Sequence, residues 1–124
     1  MTRNQISIIG VCFLLLSSVS FAQQELQGTY TGTFAVEGGK TRKHYGLELQ
    51  ITNIASGSVA GTLKVTGGDC SGDYTVKGKY SDNEFKLHSG PGEKQGCGNT
   101  RLMLTVKDGK LVGQYAHFDV ELSK

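Results

Sequence analysis

The chain has 124 residues, with 13 Lys and Arg against 11 Asp and Glu, 18 glycines, one proline, three cysteines and no tryptophan. That length holds one domain and no more. At a formal charge of +2, with Lys and Arg scattered rather than clustered among aromatics, the composition argues against nucleic acid as a partner and against a charged tail or membrane-surface helix.

Residues 1–22 read as a secretory signal peptide. Arg3 precedes an apolar run from Ile6 to Leu16, and Ser20 and Ala22 place small residues before a cut after Ala22. The run is too short for a membrane span. Cys12 raises a lipid anchor as an alternative, but Val11 before it is not the small residue such a site wants. Removing 22 of 124 residues leaves 102, with 12 basic and 11 acidic side chains once Arg3 has gone. The expectation is a single domain over 23–124, secreted or periplasmic, with no stable membrane insertion. Cys70 and Cys97 then remain as an even pair in an oxidising compartment and are expected to form a disulfide. Closing that loop stabilises the fold by about 3.5 kcal/mol on the chain-entropy model.

The mature chain alternates apolar and polar residues in short runs separated by turn residues, which predicts strands near 28–36, 43–53, 58–65, 73–80, 84–88, 100–107 and 110–122. Four times a glycine stands two residues from a large apolar residue on each side: Tyr30-x-Gly32-x-Phe34, Val59-x-Gly61-x-Leu63, Val76-x-Gly78-x-Tyr80 and Leu111-x-Gly113-x-Tyr115. All three members of each set share one face of a strand, and the apolar flanks make it the buried face. Glycine there lets a sheet coil sharply. The pattern predicts an all-β, up-and-down antiparallel barrel.

Two turns fix the register. Asp108-Gly109 pairs Lys107 with Lys110 and Val106 with Leu111, and Asp82-Asn83 pairs Ser81 with Glu84 and Tyr80 with Phe85, so the apolar partners face inward in both hairpins. In the last segment Leu111, Gly113 and Tyr115 share one parity while Phe118, Val120 and Leu122 share the other. A bulge or a tight corner near Ala116-His117 must flip the face, giving seven strands or eight.

The same parity puts no charged residue inside, so an interior catalytic dyad or polar ligand cage is hard to build. Tyr30, Tyr45, Tyr74, Tyr80 and Tyr115 point inward and could line a barrel mouth; the bland alternative is core packing with hydroxyls at the rim. His44, His88 and His117 lack the short spacing that makes metal ligands converge, and no serine has an identifiable base partner. No catalytic residue, metal site or cofactor is therefore assigned. The most irregular stretch, Ser89 to Asn99, holds four glycines and the only proline. Cys97 would tie it to the turn at Cys70, which makes Ser89, Pro91, Glu93, Lys94, Gln95 and Asn99 a candidate binding loop, with a pinned connection as the plain alternative.

The segments Gly28-Thr29-Tyr30-Thr31-Gly32, Ser58-Val59-Ala60-Gly61-Thr62-Leu63, Tyr74-Thr75-Val76-Lys77-Gly78-Lys79-Tyr80 and Val112-Gly113-Gln114-Tyr115 resemble the glycine-aromatic repeats of avidin-type barrels. The resemblance implies an avidin-like or lipocalin-like architecture. It does not extend to biotin, which avidins box with tryptophans. Small exported barrels with one disulfide also resemble bacterial inhibitors of lysozyme or of secreted proteases, which would imply an inhibitor-type module. The sequence thus points to a non-enzymatic exported binding domain that recognises a protein or extracellular ligand through its loops. The alternative is a carrier of a small apolar ligand in the barrel mouth. The outward positions carry no continuous apolar stripe, which favours a monomer.

Overall fold

A computed structural model describes residues 25–38 and 41–124. The expected signal peptide over residues 1–22, and with it Cys12, lies outside the described residues. The rest is built from eight strands: β1 (Gly28–Gly38), β2 (Thr41–Ala55), β3 (Ser58–Thr66), β4 (Gly72–Ser81), β5 (Glu84–Ser89), β6 (Arg101–Lys107), β7 (Lys110–Tyr115) and β8 (Phe118–Leu122). Each pairs antiparallel with the next in one up-and-down sheet. The sheet curls until β1 meets β8 at a single bridge, Thr31 to Ser123, where Thr31 N–H donates to Ser123 O at 2.8 Å and Ser123 N–H to Thr31 O at 2.9 Å.

The turns set the register as expected. Asp82 and Asn83 take φ of 51° and 63°, and Asp108 and Gly109 take 52° and 78°, the left-handed pair that suits a twisted two-residue hairpin. Ser81 pairs with Glu84, Tyr80 with Phe85, Lys107 with Lys110 and Val106 with Leu111. The face flip near residue 116 is a third kind of corner. Ala116 takes φ of 56° and Tyr115 pairs with Phe118, so a two-residue turn divides two strands and the count is eight. A second flip lies in β2, where an irregularity between Ile51 and Asn53 leaves Thr52 as the extra residue. The bulge shifts parity, and Ile54 joins Ile51 in the core.

The four patterned glycines share one geometry. A Cβ on Gly32, Gly61, Gly78 or Gly113 would collide with the backbone carbonyl of Glu121, Gln50, Lys86 or Met103 on the neighbouring strand. Glycine on the inner face is what allows those backbones to close in, and the barrel coils at these points. The contact of Gly32 with Glu121 crosses from β1 to β8, so the same device that bends the wall also closes it.

Inside, Leu49, Leu63, Phe85, Leu102, Leu111 and Leu122 have no surface accessible to water, and Tyr30, Leu47, Ile51, Val76, Leu87 and Leu104 are buried beside them. Outward neighbours such as Glu48, Lys77, Lys79, Arg101 and Glu121 are exposed. Burying this side-chain set, at about 25 cal/mol per Å² of apolar surface, is the main force holding the sheet curled.

Candidate functional site

Alternating chain direction sorts the connections between two ends. One end carries the tight turns at 56–57, 82–83 and 108–109 together with both ends of the described barrel. The other carries the paired ends of β1 and β2 at Gly38 and Thr41, the 67–71 turn, the 90–100 loop and the 116–117 turn.

Cys70 and Cys97 form the expected disulfide, with Cα atoms 5.3 Å apart. It joins the 67–71 turn to the 90–100 loop. The loop is itself a small hairpin rather than an irregular excursion: Pro91 bridges Gly98, Gly92 N–H donates to Cys97 O at 3.0 Å, and Asn99 N–H donates to Gly90 O at 3.0 Å. Gly98 takes φ of 88°, and a Cβ there would strike the Gly90 carbonyl, so this close approach needs glycine. Below it, Tyr74 packs in the core and its hydroxyl donates to Cys70 O, which anchors the turn from inside.

The loop residues separate into two groups. Ser89 is 1% exposed; its hydroxyl accepts a hydrogen bond from Thr100 N–H at 3.0 Å, so it fixes the base of the loop and cannot touch a partner. Pro91, Glu93, Lys94, Gln95 and Asn99 are exposed. Glu93 and Lys94, with Asp69, Asp73, Tyr74 and the disulfide, line a cleft of about 260 Å³. Pro91 also borders a shallow groove of about 290 Å³ on the outer wall with Thr75, Lys77 and His88.

The five tyrosines do not share a mouth. Tyr45, Tyr74 and Tyr115 lie toward the loop end, whereas Tyr30 and Tyr80 lie toward the turn end: Tyr45 and Tyr74 stand near the starts of β2 and β4 and Tyr115 ends β7, while Tyr30 stands near the start of β1 and Tyr80 near the end of β4. Tyr30 donates to Leu26 O at 2.8 Å and Tyr80 donates to Asn83 Oδ1 at 3.2 Å, so both hydroxyls serve the fold. Burial raises the Tyr30 pKa above its ordinary value. Burial also raises that of Tyr115, against the opposing effect of a hydrogen bond with the Thr100 side chain.

What sequence parity did not bring out is an aromatic cluster at the loop end. Phe34 stacks on Tyr45 and on Phe118, each at 5.2 Å between ring centres, and tilts against Tyr115 at 5.7 Å. His117 adds a fifth ring 4.4 Å from Phe118. Phe34, Tyr45, Tyr115 and Phe118 are only half-buried, and His117 is exposed. The shared inward parity of Phe34, Tyr45, Tyr115 and Phe118 was the available signal; that they gather at one end follows only once strand order is known.

His44 and His88 are exposed and sit on different strands. Among the described residues no three of His, Cys, Asp and Glu come close enough to hold a metal ion, and no helix there is long and apolar enough to cross a membrane. No family model, curated protein or solved structure matches this chain.

Proposed function

We propose that this chain is an exported binding domain that meets a protein or extracellular ligand through its loop end, chiefly with the tip at 93–96 and the adjoining 67–72 turn. One observation carries the reading. The only long connection among the described residues is held rigid by a disulfide and its own hydrogen bonds, yet it presents Glu93, Lys94 and Gln95 to solvent. A loop held in one shape gives up little conformational entropy on binding, and that is the economy of a preorganised contact surface. The disulfide also suits an oxidising compartment outside the cytosol. The water-inaccessible Leu49, Leu63 and Leu111 leave no surface of their own for an apolar cargo, so the carrier reading gains no support.

Affinity capture with the 23–124 domain, using material from the source organism and its surroundings and read by mass spectrometry, tests this. A partner held by the wild type and lost by the Glu93→Ala, Lys94→Ala, Gln95→Ala triple variant is the expected result. Retention of every captured partner by that variant, with its melting temperature unchanged, would overturn the assignment.

A further inference from the structure

Across the mouth from the tethered loop, the wall of the barrel is incompletely zipped. β1 and β8 share only the Thr31 to Ser123 bridge, although continuing that register would set Thr33 opposite Glu121 and Ala35 opposite Asp119. The N–H and C=O of one strand residue point to the same side, and alternate residues point the same way. Thr31 directs both groups at β8, so Thr33, Ala35 and Glu37 direct theirs into the seam, and Asp119 does so from the other bank, while the Glu121 carbonyl is already packed against Gly32. Phe34 and Val36 are committed to β2 instead.

Three further features meet at this seam. On its inner side Phe34 and Phe118 stack at 5.2 Å and are only partly buried. On its outer side Glu37, Asp119 and Glu121 are exposed, while Lys43 and His44 stand on β2, the far strand of the ribbon. Asp119 accepts from Gln114 Nε2 at 3.3 Å and Glu121 lies 3.6 Å from Lys110, both solvent-exposed contacts of small worth. Finally, the edge Thr33-Phe34-Ala35-Val36-Glu37 has none of the lysines, prolines or bulges with which proteins blunt an open edge.

We propose that this seam accepts an extended polypeptide segment of alternating basic and apolar residues as an added strand. Its backbone pairs with Ala35 and Glu37, the part of the β1 edge beyond the Gly32 to Glu121 contact that is unpaired among the described residues. Its apolar side chains lie against Phe34 and Phe118, and its Lys or Arg side chains lie beside Asp119 and Glu121. A second copy of this chain is a poor occupant, because its own β1 edge would bring a further Glu37 to an already acidic outer face. The seam is separate from the tethered loop, so either reading can fail alone.

The probe is the blocked hexapeptide Lys-Ile-Lys-Phe-Lys-Ile, titrated into the isotopically labelled 23–124 domain and followed by NMR. The blocked peptide Lys-Lys-Lys-Ile-Ile-Phe, of equal composition, is the control. Saturable shifts at 33–37 and 118–121 are expected, with the control weaker by about tenfold or more, since tenfold corresponds to roughly one to two net hydrogen bonds. Ala35→Pro removes one N–H that faces the seam and none that faces β2, and it should weaken the alternating peptide by a similar factor. Asp119→Asn with Glu121→Gln should weaken it without disturbing the fold, and the Glu93, Lys94, Gln95 alanine variant should bind it normally. Absence of saturable binding, equal affinity for the two peptides, or indifference to Ala35→Pro in a folded variant would each overturn the proposal. So would shifts at 33–37 that grow with protein concentration alone, which would assign the seam to a second copy.

Discussion

The two ends of this barrel are closed by different chemistry. At the turn end, pairs such as Asp82-Asn83 and Asp108-Gly109 reverse the chain in two residues, Tyr30 is tied to Leu26, and Lys124 Nζ donates to Glu25 O. At the loop end, closure depends on a disulfide, a hairpin whose two arms close in on each other at Gly98, and a stack of half-buried rings. At one end the chain reversals are local two-residue turns, and the Lys124 contact ties the two termini of the described barrel together. The other is shut by contacts distant in sequence, and those contacts leave polar tips and ring faces available to a partner. The proposed contact surface therefore lies at one end of the barrel axis.

Perturbing the wall that both ends share should do the most damage. Gly113→Val places a branched side chain against the Met103 carbonyl and should cost more than about 4 kcal/mol, read as failure to fold or a collapsed denaturant midpoint. Next comes the loop end alone. Replacing Cys70 and Cys97 with serine should lower stability by about 3.5 kcal/mol, with NMR shift changes concentrated at 67–74 and 89–100. Equal changes around 56–57 and 108–109 would mean that the sulfur bridge organises both ends and the contrast fails. Smallest is the effect of alkali, which reaches both ends through Tyr30 and Tyr115. Each has a pKa raised by burial above the ordinary 10.0, so its contribution to stability is complete below pH 10 and is lost as pH rises through the folded-state value. Alkaline melts should therefore show a decline above pH 10 that Tyr30→Phe and Tyr115→Phe each reduce.

The contrast also explains what could be read from residues alone. Strand parity and turn type are local, so the inward facing of the apolar residues flanking the four patterned glycines, the registers at 82–83 and 108–109, and the glycine-bent wall were all legible in the residues themselves. The disulfide was legible from its arithmetic. The bulge at Thr52 was not, because Ile54 has the wrong spacing from Ile51 for an uninterrupted strand and nothing in the local composition announces an extra residue. The site was legible in part. Composition marked 89–99 as a loop, but the burial of Ser89 depends on Thr100 folding back over it. Likewise the division of the five tyrosines between two ends, and the meeting of Phe34 with Phe118, are properties of strand order and closure rather than of any window of sequence.

Hydrogen exchange on the 23–124 domain, alone and with its captured partner, tests the assignment of contact to one end most directly. Slowed exchange in the 67–72 turn and the 89–99 loop, with the turns at 56–57, 82–83 and 108–109 unchanged, is the predicted result. Protection appearing at those three turns while the tethered loop stays as it was would contradict it.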